Sequence, residues 1–264
     1  METLTNLLPI LLNDRIAAGP ELLLAVAIYA LALPLEAVMS TGHKVPWTER
    51  LGNLGAMLIH FLLGGAVLFL VLANPIGIRL LQYPVQPRLE ILANPFLWAI
   101  AMMFIVDGLF YLYHRLEHRS ALLWRIHKLH HTEPAINVTT SRRTHFLELP
   151  AQFVVLVLPP LWILGYNPEG LAYALYGGMF FLFFAHLNIR LPLGPLTPVI
   201  VGPQLHRIHH SADPAHEGRN FAQAFPVFDI LGGTYHRPGV DEYPATGLAE
   251  CQTVGKRWRP LVWG

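Results

Sequence analysis

Long apolar runs are the feature of this sequence that most restricts its fold. A helix needs roughly 20 predominantly apolar residues to cross the hydrocarbon core of a bilayer. Three runs approach that length and two shorter runs are joined by a turn, so the pattern predicts membrane-spanning helices followed by a helical hairpin. The long runs are Pro20–Met39, Leu51–Asn74 and Pro95–Tyr113, and the hairpin arms are Leu149–Leu164 and Gly170–Leu187.

Composition agrees with this interpretation. Of the 264 residues, 53% are hydrophobic and 13% are charged, whereas soluble domains carry roughly 25% charged residues. We therefore expect an all-α, polytopic membrane protein with four to five transmembrane helices. The formal net charge is only +1 and there is no basic tract, so we expect no nucleic-acid partner.

Histidine is the second unusual feature, because most of the 14 histidines lie in clusters. In a helix, positions i and i+4 share a face, whereas neighbouring positions diverge by about 100°. A pair at i and i+4 can bind one metal ion, and a triplet at i, i+3 and i+4 can supply two. Eight clustered imidazoles exceed what one ion accepts, which predicts a two-metal site in a helical cap. The clusters are His114-x3-His118, His127-x2-His130-His131 and His206-x2-His209-His210.

The type of metal follows less directly from the residues. Imidazole binds zinc, copper, iron and nickel, and the single cysteine, Cys251, excludes an internal disulfide and a cysteine-ligated iron–sulfur cluster. Two irons that use O2 to attack a C–H bond are the best chemical match. Two alternatives stay open, a zinc-dependent membrane lipid hydrolase and a non-catalytic metal-binding or transport protein. Transport ligands belong near the bilayer midplane, whereas these clusters lie beyond the ends of the apolar runs.

Several motifs follow one another in a fixed order along residues 95–240. They are Asp107-x6-His114-Arg115-x2-His118, Trp124-Arg125-x-His127-x2-His130-His131, Asn137-x-Thr139-x2-Arg142-x2-His145-x2-Glu148, His186-x-Asn188, His206-x2-His209-His210, Asn220-Phe221 and Phe228-Asp229-x3-Gly233-Thr234-Tyr235. In order and spacing they resemble the fatty acid hydroxylase and sterol desaturase superfamily of integral-membrane di-iron enzymes, and the last motif looks closest to sterol-desaturase-type members. Residues 1–94 are then N-terminal spans with a connector, and residues 241–264 a cytosolic tail.

The resemblance implies a set of site residues. His186 matches a usual ligand of the family, and His145 is either a ligand or a group beside the ligands. Asp107 lies two turns before the first cluster, and we expect its carboxylate to accept a hydrogen bond from an imidazole N–H, with an ion pair to an arginine as the alternative. Glu117 and Asn188 are further candidates for contacts to the ligands. The candidate iron ligands are His114, His118, His127, His130, His131, His145, His186, His206, His209 and His210.

The resemblance also implies a reaction, in which a di-iron centre with O2 as co-substrate hydroxylates or desaturates a lipid. The lipid is a sterol, a fatty acyl chain or a related chain that enters from the bilayer. The sequence carries no flavin or nicotinamide fingerprint, so we expect electrons from a separate ferredoxin or cytochrome b5-like donor. Lysine and arginine concentrate around the histidine clusters, which places the active site on the cytoplasmic side. The expected location is a bacterial inner membrane, or the endoplasmic reticulum in a eukaryote.

The remaining polar residues receive structural interpretations. His60 lies inside an apolar run, where we expect a hydrogen bond between helices, with a functional role as the alternative. His236 is interpreted as a solvated loop residue, and His216 as a loop residue or a group beside the ligands. Arg142 and Arg143 are expected to bind lipid phosphates or to follow the positive-inside bias.

Overall fold

The computed structural model describes residues 18–39, 44–81, 89–251 and 253–263. Regular structure in these residues is helical, apart from an isolated bridge between Ser211 and Thr246, which confirms the all-α prediction. The helices are α1 (Ala18–Met39), α2 (Trp47–Ala73), α3 (Pro75–Leu80), α4 (Pro95–Arg119), α5 (Ala121–His131), α6 (Glu148–Leu164), α7 (Pro168–Ala185), α8 (Pro203–His209), α9 (Val227–Leu231), α10 (Val254–Trp258) and α11 (Pro260–Trp263), with 3-10 helices at Glu90–Ala93, Val138–Arg142, Gly194–Leu196 and Pro214–His216.

Two of these helices, α2 and α4, are long and apolar enough to cross a membrane. They contain 27 and 25 residues, and only 28% and 33% of their most apolar 18-residue windows are buried inside the protein. Large apolar side chains such as Leu62, Phe69 and Phe104 are therefore exposed on them. A helix in the core of a soluble protein buries most of its apolar face, so the exposed faces of α2 and α4 suit contact with acyl chains.

Helix α4 carries the chain from its apolar segment directly to the first histidine pair. Asn94 caps its N-terminus by accepting hydrogen bonds from the backbone N–H groups of Phe96 and Leu97. At the other end, Ser120 has extended backbone angles and its hydroxyl caps α5 through the N–H of Leu123. The chain turns at this serine, and α5 packs back against α4. The first two histidine clusters are thereby brought face to face.

The predicted hairpin corresponds to α6 and α7, both of which pack on α4. The turn between them uses Gly165, whose φ of 77° lies in the left-handed region. Within α6, the prolines at 159 and 160 donate no backbone N–H, and the preceding turn, Phe153–Val157, widens into a π-helix. A shared apolar core holds the three helices together and includes Trp98, Leu158 and Leu171.

A buried carboxylate near the end of α1 fixes the N-terminal helix to the rest of the cap. Glu36 accepts hydrogen bonds from the backbone N–H groups of Val138 at 2.7 Å and Asn188 at 2.8 Å. Arg50 pairs with the same carboxylate at 2.7 Å. These three donors satisfy the hydrogen-bonding capacity of the buried carboxylate. The first helix is thus attached to the two loops that enclose the histidines.

The structure corrects the expected contact of Asp107. Its carboxylate accepts hydrogen bonds of 2.6–3.2 Å from the backbone N–H groups of Gln223, Ala224 and Phe225 rather than from an imidazole. The carboxylate of Asp229 accepts hydrogen bonds from the N–H groups of the two preceding residues of this loop, Phe221 and Ala222. The loop has no regular structure of its own to satisfy these buried donors, so the two carboxylates replace the missing backbone partners. They fix the loop against α4.

Arg143 also differs from its interpretation, because it is fully buried rather than available to lipid phosphates. Its guanidinium donates to the carbonyl of Leu129, to Asn53 and to Thr132. The Trp258 ring lies 3.7 Å from the guanidinium carbon. Burial lowers the pKa of Arg143 to about 10, which leaves it charged at neutral pH. This arginine therefore joins α2, α5 and the C-terminal α10 at one buried point.

Candidate metal centre

Nine of the ten candidate ligands come together in two neighbouring groups. In each group the ligand nitrogens lie within 4.8 Å of one another, close enough for one ion to contact all of them. All but His118 are buried, and we name the groups site A and site B. Site A consists of His114, His118, His127, His131 and His209, and site B of His130, His186, His206 and His210.

The helical phase of each triplet divides its histidines between the two sites. In α5, His127 and His131 are one turn apart and belong to site A, whereas His130 belongs to site B. The second triplet, at the end of α8, does the opposite, since its first and last histidines join site B and its middle one joins site A. The rings of His131 and His210 stack at 4.4 Å across the boundary, so the two sites are directly adjacent.

Two histidines of site A have tautomers fixed by their surroundings. Nδ1 of His114 donates to the carbonyl of Phe221 at 2.8 Å, and Nδ1 of His127 donates to Glu148 at 3.0 Å. Their Nε2 atoms face each other at 3.0 Å, so a proton or a metal cation must lie between the two lone pairs. With metal–nitrogen bonds of about 2.0–2.1 Å, two imidazole nitrogens at a right angle are about 3 Å apart. The donors of site A therefore fit a metal ion.

Site B converges on His186, the first residue after α7. Its Nδ1 donates to the carbonyl of Leu182 at 2.7 Å, which leaves the lone pair on Nε2. That Nε2 lies 3.1 Å from Nε2 of His130 and 3.2 Å from Nε2 of His206. The Nε2 atoms of His206 and His210 are 3.1 Å apart. Four nitrogens thus converge on a common point with spacings that suit ligands of one ion.

Burial, reinforced by neighbouring charged groups, lowers the pKa of most site histidines. The pKa of His209 falls to about 3 and that of His186 to about 4. A protonated imidazole carries a proton on both ring nitrogens, so only a neutral imidazole has a lone pair for a metal ion. The depressed pKa values therefore keep these side chains in the metal-binding form at neutral pH. The other site histidines outside α4 with a lowered pKa are His130, His131, His206 and His210.

His127 is the exception, because two carboxylates face its Nδ1. Burial opposes the charged form, but the charges of Glu117 and Glu148 outweigh it and raise the pKa of His127. Nδ1 lies 3.0 Å from Glu148 and 3.3 Å from Glu117. Both carboxylates favour a proton on Nδ1, which directs Nε2 towards site A. Glu117, expected to contact a ligand, lies beside His127. Glu148 contacts the same nitrogen, although the sequence motif that contains it indicated no role for it.

We expect Glu148→Gln to weaken metal binding at site A by about 10- to 100-fold, because a neutral amide holds the Nδ1 proton of His127 less strongly. The measurement is the metal content of purified protein after dialysis against graded concentrations of a chelator. One of the metal ions should leave at lower chelator concentration than in the parent. Glu169→Gln, at an exposed position on α7, is the matched control. Identical release curves for Glu148→Gln and the parent would contradict the assigned role.

The tenth candidate, His145, lies outside both sites. Its Nδ1 accepts a hydrogen bond from the N–H of Leu147 at 3.2 Å, and its ring stacks on Phe146. Its carbonyl lies 3.2 Å from Nδ1 of His60, which also contacts the Thr144 hydroxyl at 2.9 Å. The buried His60 therefore bonds to the loop before α6, where a bond to another helix was expected. Both residues shape the loop that leads to Glu148.

Asn188 contacts the ligand helix through another side chain. Its Oδ1 accepts hydrogen bonds from Arg207 at 3.3 Å and from the Tyr243 hydroxyl at 3.0 Å. Arg207 lies on α8 between two site histidines, and its guanidinium carbon is 3.8 Å from the Tyr243 ring. Asn188 therefore helps to position α8.

The fold and these two sites define a class: all-helical proteins in which adjacent polyhistidine sites lie at the end of a membrane-length helix. The chain belongs to the fatty acid hydroxylase family. The family model described as Fatty acid hydroxylase matches residues 99–234, more than half of the chain. This range contains every histidine of sites A and B, so the membership expected from the motifs is confirmed.

Individual relatives agree with the family assignment. Ornithine lipid hydroxylase OlsE of Rhizobium tropici is 33% identical over 48% of this chain, and the alkylglycerol monooxygenases of Caenorhabditis elegans and Homo sapiens are 26% identical over 59% and 54% of it. The matched segments span 38%, 30% and 31% of these relatives' own lengths, about a third in each case. No solved structure matches the chain.

Proposed function

We propose that this protein is a membrane-bound di-iron oxygenase that hydroxylates a lipid. The observation that carries the proposal is the pair of adjacent sites, with five and four imidazoles, inside the segment that matches the family. Hydroxylation is favoured over desaturation because the relatives are a lipid hydroxylase and monooxygenases.

Site A would hold one iron and site B the other. Both donor sets are made of imidazoles, which suit iron and leave the ion without thiolate ligands. Bound iron would supply the activation of O2 that attack on an unactivated C–H bond requires. The nine histidines would fix the two ions side by side, since the sites share a boundary of stacked imidazole rings.

The rest of the chain would orient the ligands and keep water away. Glu117 and Glu148 hold a proton on Nδ1 of His127 and so present its other nitrogen to site A. Phe110 packs on the ring of His114 at 4.9 Å, and Trp124 on the ring of His118 at 5.0 Å. Such apolar walls exclude water from a reactive centre.

In the proposed arrangement, four or five helices cross a bacterial inner membrane, and the histidine cap lies on its cytoplasmic side. Helices α2 and α4 have the required length, and α1 with the α6–α7 hairpin would supply the other spans. Because α4 runs from its apolar segment directly into site A, a lipid chain in the bilayer would reach the metals without leaving the apolar phase.

The relatives' names and this geometry support a substrate class for the proposal. An acyl or alkyl chain of a polar lipid suits the site, since the names specify an ornithine lipid and alkylglycerols. Insertion of one oxygen atom of O2 into a C–H bond, with reduction of the other to water, consumes two electrons and two protons. A separate ferredoxin or cytochrome b5-like protein would deliver the electrons to the cytoplasmic face.

The test is oxygen labelling of lipids in cells that express the protein. Under 18O2, we expect lipids that carry one labelled oxygen atom, absent from cells with a His130→Ala, His209→Ala variant of equal abundance. Growth without O2 should abolish the product. A lipid change that persists without O2 and depends on zinc would overturn the oxygenase and favour a hydrolase.

A further inference from the structure

A third group of metal-binding side chains lies outside sites A and B. It consists of His216, His236 and Glu242, whose ligand atoms lie within 4.8 Å of one another, and we name it site C. Nε2 of His216 is 2.8 Å from Oε1 of Glu242. Nε2 of His236 is 3.1 Å and 3.2 Å from the two oxygens of the same carboxylate. Both imidazoles therefore point the same nitrogen at one position.

Each member of site C is held in place by a second contact. Nδ1 of His216 is 2.8 Å from the hydroxyl of Ser211, and the carboxylate of Glu242 accepts the N–H of Gly239 at 2.7 Å. The backbone N–H and carbonyl of His236 both bond to the side chain of Asn220, a residue at the left-handed φ of 55°. Contacts of this kind orient metal ligands before the metal binds.

We propose that site C binds a third divalent cation, zinc by its chemistry, that fixes the segment 236–246 against α8. Two imidazole nitrogens and one carboxylate are a usual set of protein ligands for zinc, with water completing the coordination. The side chains of Glu242 and His236 are 29% and 32% exposed, so water can occupy the remaining position. Sites A and B, by contrast, are enclosed by protein and contain no carboxylate ligand.

The segment that contains Glu242 supports the wall of the main centre. Nε2 of Gln204, on α8, donates to the carbonyls of Gly239, Val240 and Glu242 at 2.7–3.1 Å. Further along the same segment, the carbonyl of Pro244 accepts a 2.7 Å hydrogen bond from Arg207 on α8. Because α8 carries histidines of both sites, a cation in site C would stabilise the helix that presents them. This is a structural role, independent of turnover.

The test compares zinc binding by the parent chain, Glu242→Gln and His236→Gln in detergent after removal of loosely held metal. We expect the parent to bind about one zinc ion per chain more than either variant, because both variants keep sites A and B. Hydrogen exchange of the segment 236–246 should slow on addition of zinc in the parent and should not change in Glu242→Gln or His236→Gln. Glu217→Gln, an exposed position next to His216, should behave as the parent.

The proposal is wrong if His216, His236 and Glu242 only bond to one another and bind no metal. In that case the parent and both variants would bind the same number of zinc ions, and zinc would leave hydrogen exchange in 236–246 unchanged. The exchange experiment on the parent needs no variant, so a variant that failed to fold would not remove the test. Failure of the lipid-labelling experiment would leave this outcome unaffected, since neither readout depends on oxygenation.

Discussion

Replacing His130 with alanine and replacing His131 with alanine should remove different metal ions, although the two residues are adjacent in sequence. His130 belongs to site B and His131 to site A. Each single variant should lose about one ion per chain relative to the parent, because loss of one ligand from a shared site releases the ion held there. Lipid oxygenation should fall below detection in both, since the proposed chemistry needs both ions.

Pairs of substitutions distinguish the two sites. The variant His130→Ala, His210→Ala changes two ligands of site B and should lose about one ion per chain. The variant His130→Ala, His131→Ala changes one ligand of each site and should lose about two. Metal analysis of purified protein measures both. Equal losses from the two double variants would show that the division into sites A and B is wrong. His145→Ala is the control and should keep the parent's metal content, because His145 lies outside both groups.

The sequence could predict this division because helical periodicity acts over short distances. The i, i+3, i+4 spacing of His127, His130 and His131 determines which side each imidazole faces, whatever packs around the helix. His186 was accessible only through the resemblance, since it stands alone at the end of an apolar helix. The ten candidates included His145, which lies in a loop and belongs to none of the three sequence clusters. Spacing carries little information there, because a loop has no fixed period.

Contacts between distant loops and helices were beyond prediction from local pattern. Asp107 bonds to backbone more than 100 residues away, and Glu36 to loops at Val138 and Asn188. A backbone N–H has no sequence signature, so nothing in the chain indicates which carboxylate will satisfy it. Arg143 shows the same limit. A basic residue near an apolar run suggests a membrane surface, whereas its burial depends on Trp258 and on the carbonyls that surround it.

These buried carboxylates also connect the fold to the metal centre. The loop that Asp107 and Asp229 hold contains Phe221, whose carbonyl accepts the Nδ1 proton of His114. Asp107 was expected to fix the tautomer of an imidazole by direct contact. It instead fixes the loop, and the loop fixes the imidazole. Asp107 is therefore a positioning residue that acts on His114 through three backbone hydrogen bonds.

Asp107→Ala should be among the most destabilising single substitutions in the protein. It leaves the N–H groups of Gln223, Ala224 and Phe225 without their acceptor, and each buried, unsatisfied donor costs about 1–3 kcal/mol. Because Gln223 and Phe225 are only partly buried, we expect the lower part of the summed cost, a loss of about 3–5 kcal/mol in the free energy of unfolding, measured by denaturant titration in detergent. The metal occupancy of site A should also fall. Asp241→Ala is the control. Its side chain is 91% exposed in an ion pair with Arg190, and such pairs contribute about 0–1 kcal/mol.

Asp107→Asn separates the loop contact from a direct contact to a ligand. The amide keeps one acceptor oxygen, so part of the loop's hydrogen bonding survives, and we expect a smaller destabilisation than for alanine. Metal content should follow stability, with Asn between alanine and the parent, because both depend on the same loop. A variant that kept the parent's stability but lost the metal of site A would contradict the loop mechanism. That result would restore a direct role of the carboxylate at His114.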